Sequence, residues 1–240
     1  MRVSVVLLAA GLGKRMGGKT PKAFLKLGGL PLYRHSMDVF KSMKEVRQVI
    51  LVVPKGVKGG IEGGSRRQDS VRNGLGAVDP ASDVVLIHDA ARPFVTPELV
   101  RRVIQGTMEH GGAIPGVPVR DTLKRMDSAG HIEATVDRSV LWAAQTPQGF
   151  KNGVLEAAYA SGHGLEDASD DAQIVERAGG RVAIVDGNPE NFKITSKSDL
   201  DLAEDYLRRR RSRTSRGTPG PHHAVAPKER RRTPRKRRRP

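Results

Sequence analysis

The feature that most constrains the fold is an alternation of continuous apolar segments with amphipathic ones. Apolar runs typical of buried strands occur at residues 3–8, 49–53, 84–87, 113–117 and 182–185. Between most of them lie segments with helical spacing of apolar residues, at residues 32–41, 70–77, 97–109, 151–160 and 171–178. This order predicts an α/β fold in which helices cover both faces of a mainly parallel sheet. Ligands of such sheets bind beyond the carboxyl ends of the strands.

One stretch, residues 118–142, breaks this alternation. It contains two segments of mixed polar and apolar residues on either side of a turn at residues 127–130, which predicts a β-hairpin arm. A hairpin this polar has little core of its own, and isolated hairpins are marginal in water. We therefore expect the arm to pack against another subunit.

The net charge of +16 is concentrated at the C-terminus. Residues 208–240 contain 15 Lys and Arg and one Glu, so they carry +14 and leave only +2 for residues 1–207. A last helix is predicted at residues 198–210, with Ser198 as its N-cap. We expect one folded domain over residues 1–207 and a basic, Arg- and Pro-rich disordered tail over residues 208–240.

The chain contains no cysteine, which excludes disulfides, cysteine-ligated metals and thiol nucleophiles. Its apolar start leads into glycines and basic residues rather than a small-residue cleavage site, so we interpret it as a strand and not as a signal peptide. No apolar run is long enough to span a membrane. We expect a cytoplasmic protein with no membrane contact.

The strongest local motif is LAAGLGKRMGGKTPK at residues 8–22, directly after the first strand. Gly11 and Gly13 would let backbone N–H groups approach a phosphate, and Lys14, Arg15 and Lys22 would neutralise a triphosphate. The motif lacks the third glycine of the dinucleotide fingerprint and is not a Walker loop. A purely structural turn is the alternative.

A second motif, VLIHDAARPF at residues 85–94, places Asp89 at the carboxyl end of a strand. A carboxylate there can hold Mg²⁺ against nucleotide phosphates. The structural alternative is that Asp89 ends a turn and pairs with Arg92. His88 is expected to satisfy a buried hydrogen bond, because no second histidine lies at metal-ligand spacing.

Further along the chain are two groups of candidate binding residues. In GGSRRQDSVRNGL at residues 63–75, Gly64 exposes backbone groups that can read a base, and Arg67 and Ser70 lie one helical turn apart. A loop entering a helix capped by Asp69 is the alternative. A phosphate monoester would be bound by a guanidinium, a hydroxyl and an ammonium, which Arg138, Thr146 and Lys193 supply.

The acidic pair in SDDA at residues 169–172 has two interpretations. Asp170 and Asp171 are possible metal ligands, but adjacent acids at the start of a helix are more often caps favoured by the helix dipole.

Together these segments resemble the 2-C-methyl-D-erythritol 4-phosphate cytidylyltransferases of the non-mevalonate isoprenoid pathway. The resemblance covers residues 3–207 and rests on the order of LAAGLGKRMG and PK, GGSRRQDSV, HDAARPF, PVRDTLK, QTPQGF, SDDA and KIT. It implies a Rossmann-like α/β domain and a homodimer in which the arms cross between subunits. The sequence departs from the family pattern at two places. The segment at residues 54–63 is short, which suggests a missing surface helix, and Ser169 stands in place of the usual threonine.

The resemblance also implies roles for individual residues. Arg15 and Lys22 would stabilise the transition state. Arg138 and Lys193 would position the substrate phosphate, and Thr122 would reach the site with Arg138 from the arm of the partner subunit.

The resemblance further implies the nucleotide and metal contacts. Asp89 would hold Mg²⁺, or another divalent ion, while Arg92 and Thr146 would lie near the second phosphate. The residues implied to contact the cytidine nucleotide are Ala9, Ala10, Gly11, Gly64 and Ser70.

This reaction needs no general base. The second pKa of a phosphate monoester is near 6, so its oxygen is largely ionised at pH 7 and can attack the α-phosphorus of CTP. Positioning and charge neutralisation must then supply catalysis, which accounts for a site rich in cations.

Two other functions remain open on the sequence alone. One is a ribitol 5-phosphate cytidylyltransferase, a related activity on a shorter acceptor. The other is binding of RNA or another polyanion by the basic tail, through release of counterions. A solvated tail without a partner is the alternative to that binding.

We expect Arg15→Ala and Lys22→Ala each to lower kcat by roughly a hundredfold or more, because each removes a cation that neutralises charge in the transition state. Far-UV circular dichroism should show an unchanged fold. Near-normal turnover in either variant would refute the assignment.

Overall fold

The structure, a computed structural model, describes residues 1–11, 13, 20–162 and 168–215. Strand β1 (Val3–Leu8) lies at the centre of the sheet, between β4 (Val46–Val53) and β6 (Val84–Asp89), and is parallel to both. Val3, Val5, Val6 and Leu7 are completely buried, which confirms that the apolar start of the chain is a core strand. Beyond β4, the short strand β5 (Ile61–Glu62) continues the parallel arrangement.

The other half of the sheet is mixed. Strand β11 (Gln148–Lys151) is inserted between β6 and β7 (Gly112–Pro118) and is antiparallel to both. Strand β10 (Trp142–Ala144) pairs with the same edge of β7, and β12 (Ala183–Asp186) pairs in parallel with its other edge. The sheet is therefore mainly parallel, as predicted, with an antiparallel insertion that the apolar pattern did not indicate.

Helices cover both faces of this sheet. On one face, α1 (Leu32–Ser42) and α3 (Pro97–His110) pack against β1 and β6. On the other face lie α2 (Arg67–Leu75), α4 (Asn152–Ala160) and α5 (Asp171–Arg177). The predicted α/β architecture is confirmed, because consecutive strand residues face opposite helical layers.

Close packing sets the position of α2. A Cβ added to Gly74 would lie 2.5 Å from Val6 Cγ1 and 3.0 Å from Val52 Cγ2, so the glycine lets the helix lie directly on β1 and β4. A helix held this close brings its first turn to the sheet edge where β1 and β6 end. Between β4 and β5 the chain forms turns and no helix, as the short segment predicted.

The C-terminal helix differs from the prediction. A short hairpin of β2 (Lys26–Leu27) and β3 (Leu30–Pro31) precedes α1, and α6 (Lys197–Ser215) packs against Leu27, Leu32 and Phe94 through Ala203. The N-cap is Ser196 rather than Ser198: its Oγ accepts a hydrogen bond from the Asp199 N–H, and the Asp199 carboxylate accepts one from the Ser196 N–H.

Helix α6 also moves the expected start of the tail. Residues 211–215, which follow the predicted end of this helix and were expected to be disordered, continue it, because Leu207 and Arg211 reach Gly28 on the hairpin before α1. The remaining tail, residues 216–240, lies outside the described residues, so its disorder and its polyanion binding stay predictions.

The arm is a hairpin of β8 (Leu123–Met126) and β9 (Ile132–Val136), which pair only with each other. Gly130 in its turn has φ 87°, a conformation that favours glycine. Nearly every arm residue is exposed in the single chain. The hairpin itself is confirmed, while its contact with a second subunit stays a prediction.

Across the part of the chain that the structure describes, no helix is long and apolar enough to cross a membrane.

Candidate active site

The predicted binding loops meet at the carboxyl ends of β1, β5 and β6. A Cβ added to Gly63 would lie 2.4 Å from Ala10 Cβ, so the segment after β5 touches the segment after β1. The Ala9 N–H donates to Val52 O at 2.8 Å, and the Ala90 N–H donates to Leu8 O at 3.0 Å. The first bond ties the end of β1 to β4 and the second ties the end of β6 to β1, so these strand ends lie at one edge of the sheet.

The glycine-rich loop approaches Lys22 at this edge. Gly13 has φ 64°, and a Cβ there would lie 2.6 Å from Lys22 Cβ. Lys22 itself begins a short 3₁₀ helix, Lys22–Phe24. Glycine is therefore required at position 13 both for its backbone conformation and for the close approach of Lys22. Lys14 and Arg15 lie outside the described residues.

Gly64 and Ser70, which the resemblance assigns to the nucleotide, contact each other. The Gly64 N–H donates to Ser70 Oγ at 3.1 Å, and that hydroxyl donates to Arg66 O. Asp69 caps the helix by accepting from the Arg66 N–H at 3.1 Å. The segment at Gly64 is thus fixed to the first turn of α2, beside the glycine-rich loop.

Asp89, the last residue of β6, lies between two cations. Lys193 Nζ is 2.7 Å from Asp89 Oδ2, and Arg67 Nε is 3.3 Å from Asp89 Oδ1. Burial would raise the pKa of Asp89, but the charges of Arg67 and Lys193 outweigh it and hold the pKa well below its usual range. The Asp89 carboxylate pairs with Arg67 and Lys193 rather than with the Arg92 guanidinium, so that part of the structural alternative is wrong. The turn that it expected is present, because the Arg92 N–H donates to Asp89 O at 2.9 Å.

Arg67 has a second acidic partner. Its Nη2 donates to Asp171 Oδ2 at 2.8 Å, and Tyr159 OH donates to Asp171 Oδ1 at 2.7 Å. Burial would lower the pKa of Arg67, but Asp171 and Asp89 raise it, so the guanidinium remains charged. The sequence assigned Arg67 to the nucleotide, whereas the structure commits its side chain to these two carboxylates.

Thr146 takes part in a buried hydrogen-bond chain. The Asp89 N–H donates to Thr146 Oγ1 at 3.1 Å, and Thr146 Oγ1 lies 3.0 Å from His88 Nδ1. His88 Nε2 lies 3.1 Å from Arg92 O, which can only accept, so Nε2 carries the proton. Burial lowers the pKa of His88 to about 4, and the neutral ring accepts from the Thr146 hydroxyl. The expected structural role of His88 is confirmed.

Arg92 secures the segment that carries Lys193. Its guanidinium donates to Asn191 O at 2.9 Å and to Ala144 O at 3.2 Å. Asn191 Nδ2 donates to Thr146 O at 2.8 Å. Arg92 and Thr146 therefore adjoin the site, where two guanidinium nitrogens of Arg92 and the Thr146 hydroxyl hold its backbone, while Arg92 Nε is buried without a partner among the described residues.

The two arm residues lie apart from this cluster. Thr122 is exposed, and Arg138 donates to the carbonyl of Arg120 within the arm. Neither contacts Asp89 or Lys193 among the described residues, so one chain does not assemble all of the predicted site residues.

The acidic groups fit a metal ion that arrives with a nucleotide. Within the described residues, no three acidic or histidine side chains form a cluster able to hold a metal. Asp170 caps α5 by accepting from the Gln173 N–H at 2.9 Å, which confirms the capping interpretation. The ionised Asp89 carboxylate can supply one ligand, and Mg²⁺ ordinarily takes its others from phosphates and water.

Comparison with known proteins identifies the family. The profile of the 2-C-methyl-D-erythritol 4-phosphate cytidylyltransferases matches residues 3–209. The chain belongs to this cytidylyltransferase family. A family member from Alkaliphilus metalliredigens is 39% identical over 228 residues, which cover 88% of this chain and 95% of the relative. One from Syntrophotalea carbinolica is 40% identical over 226 residues, covering 86% of this chain and 97% of the relative.

Solved structures agree with this assignment. The crystal structure of the 2-C-methyl-D-erythritol 4-phosphate cytidylyltransferase from Thermus thermophilus matches with a TM-score of 0.75 and 41% identity, covering 87% of this chain and all of the other. The cytidylyltransferase fold inferred from the sequence is thus confirmed by a solved relative.

The sequence did not predict three polar residues beside the site of this cytidylyltransferase. Asp171 was weighed only as a metal ligand or cap, and Tyr159 and Gln148 were given no role. Gln148 Oε1 accepts from the Asp171 N–H at 3.0 Å, and its Nε2 donates to Asp170 Oδ2 at 2.8 Å. The one available signal was the pair of acids in the motif, because a helix start needs only one of them, Asp170, as its cap.

Replacing Thr146 should destabilise the cytidylyltransferase through its buried hydrogen bonds. Thr146→Val leaves the Asp89 N–H and His88 Nδ1 without their partner, at a cost of roughly 1–3 kcal/mol for each group. Urea unfolding should show this loss, whereas Thr146→Ser, which keeps the hydroxyl, should lose less. Equal stability of the valine and serine variants would contradict the hydrogen-bond chain.

Proposed function

We propose that this protein transfers the cytidylyl group of CTP to the phosphate of 2-C-methyl-D-erythritol 4-phosphate. The products are 4-diphosphocytidyl-2-C-methyl-D-erythritol, an isoprenoid precursor, and pyrophosphate. The observation that carries the proposal is that Lys193 and Arg67 surround Asp89 at the end of β6, beside the glycine-rich loop after β1. Cationic groups at that edge of the sheet can bind the phosphates of both substrates.

The reaction follows from the charges of the two substrates. An oxygen of the acceptor phosphate forms a bond to the α-phosphorus of CTP, and the bond from that phosphorus to the pyrophosphate oxygen breaks. The glycine-rich loop and the Gly64 segment hold the nucleotide, and Arg15 and Lys22 neutralise the charge that develops on the bridging oxygens. No side chain has to accept a proton, because the attacking phosphate is already ionised.

Mg²⁺ is the proposed metal, and Asp89 is the residue that would contribute to holding it. When bound, the ion would neutralise the triphosphate and the departing pyrophosphate. The low pKa of Asp89 supports this role, because the carboxylate is charged at any pH at which the enzyme works.

The acceptor phosphate is proposed to lie between Lys193 and the arm. Lys193 is 39% exposed, so its ammonium can reach an incoming phosphate while remaining near Asp89. Arg138 and Thr122 would complete the phosphate site, and they need a second subunit to bring them there.

A homodimer with crossed arms is therefore part of the proposal. The arm and the segment joining it to β10 expose large apolar side chains, with Met126 54%, Ile132 63% and Val140 74% accessible in the single chain. Exposed apolar side chains on a marginally stable hairpin favour burial against another protein surface.

The choice of acceptor is tested by pyrophosphate release. With CTP, we expect turnover on 2-C-methyl-D-erythritol 4-phosphate to exceed turnover on ribitol 5-phosphate by roughly tenfold or more, since discrimination of ~1.4 kcal/mol is ordinary for a fitted polar acceptor. ATP, GTP and UTP serve as control nucleotides. A preference for ribitol 5-phosphate would refute the proposed acceptor.

The crossed arms are tested by mixing inactive variants. Arg138→Ala damages the arm and Lys22→Ala the core of the site, so only a mixed dimer with crossed arms contains one intact site. After random subunit exchange we expect about a quarter of wild-type activity. The control mixture combines Lys22→Ala with Lys193→Ala, which both damage the core of the site, and it should recover no activity. Equal recovery of activity in both mixtures would exclude crossed arms.

A further inference from the structure

Asp171 is a buried charge that the proposed reaction does not use. Its side chain is 0% exposed, and its two oxygens accept hydrogen bonds from Arg67 and Tyr159 at 2.8 Å and 2.7 Å. Neither oxygen is open to the site edge. Asp171 therefore cannot contact a nucleotide or an acceptor directly, and any effect it has on the reaction must pass through a neighbour.

Arg67 is that neighbour. Its guanidinium is a rigid plane, so fixing Nη2 on Asp171 also fixes the direction of Nε, which lies 3.3 Å from Asp89 Oδ1. The bond to Asp171 is 0.5 Å shorter than the bond to Asp89, so Asp171 is the firmer anchor of the two. A shift of Asp171 would move the group that orients Asp89.

Asp171 is itself held on three sides. The Asp171 N–H donates to Gln148 Oε1, the residue lies in the first turn of α5, and Tyr159 on α4 donates to its carboxylate. The positive end of the helix dipole favours the negative charge there. These contacts join α5, α4 and β11 behind Arg67, and they give the carboxylate one defined position.

Stability alone does not account for such a cluster. Taking two charges out of water costs several kcal/mol each, and a buried ion pair often stabilises a fold no better than apolar side chains of the same volume. A charged pair kept at the edge of a site, with one guanidinium shared between two carboxylates, is instead suited to orienting the less buried carboxylate, Asp89.

We propose that Asp171 and Tyr159 are positioning residues, which hold Arg67 so that the Asp89 carboxylate keeps one direction and Lys193 keeps its place beside it. The inference rests on the proposed function, because Lys193 binds the acceptor phosphate there and Asp89 holds Lys193 in place. Loss of the anchor lets Arg67 turn fully onto Asp89 and displace Lys193, so acceptor binding suffers before nucleotide binding does.

The test compares Asp171→Asn and Tyr159→Phe with a matched control, Glu45→Gln. Glu45 accepts from Arg101 Nε at 3.0 Å and lies before β4, at the amino end of the sheet and opposite the site. Glu45 and Arg101 thus form another Arg–carboxylate pair, which lies away from Asp89. Steady-state assays give KM for each substrate and kcat, calorimetry gives acceptor affinity, and thermal unfolding monitors the fold.

We expect Asp171→Asn to raise the acceptor KM and weaken acceptor binding by about tenfold to a hundredfold, the usual effect of removing a group that orients a site residue. The KM for CTP should change less than threefold or so. Tyr159→Phe should move the same constants in the same direction by a smaller factor, since it leaves the Asp171–Arg67 pair in place. Glu45→Gln should leave all of them unchanged.

Two results would overturn the inference. One is a folded Asp171→Asn variant with wild-type acceptor affinity; the other is an equal rise in both KM values that follows the loss of thermal stability. If Asp171→Asn does not fold, Tyr159→Phe decides, and an unchanged acceptor KM there refutes the proposal. A wild-type enzyme inactive on the acceptor would instead refute the proposed function.

Discussion

The parallel pairing of β1 with β4 and β6 is the constraint on which the rest of the structure depends. In this register Leu8 lies opposite Val52 on one side and Asp89 on the other, so the three strands end at the same edge of the sheet. Strands β1 and β6 are buried on both faces, and a slip of the register would turn apolar side chains away from the helical layers. The site edge is therefore fixed by the core.

Charge at that edge is arranged around one carboxylate. Asp89 holds Lys193 from the segment before α6 and Arg67 from α2, while Arg92 and Asn191 tie the Lys193 segment to the strand ends. Helices α4 and α5 and strand β11 carry the groups behind Arg67. Elements far apart in the chain thus contribute to one cluster of charged side chains around Asp89. A family of cytidylyltransferases needs such a cluster, because the catalysis depends on positioning the substrates and neutralising their charge.

Much of the fold could be predicted from the sequence, because patterns of neighbouring residues determine its strands and helices. The strand β1 coincides with its predicted bounds because six consecutive apolar or small residues lie between Arg2 and the start of the glycine-rich motif. The predicted bounds of α6 were wrong at both ends of the helix. Its capping box uses Ser196, two residues earlier than the serine chosen, and its last turns persist through contacts with the hairpin before α1 that no spacing within the helix indicates.

The sequence by itself determined the α/β layers, the glycine-rich loop, the arm and the family, because periodicity, turn residues and the order of motifs are written along the chain. Only the tertiary structure decided that Arg67 serves two carboxylates and that Thr146 links Asp89 to His88. These contacts join residues separated by 104 and 58 positions, respectively. Their geometry comes from how closely the helices pack on the sheet, and Gly74 sets that closeness for α2, so no local pattern could have revealed them.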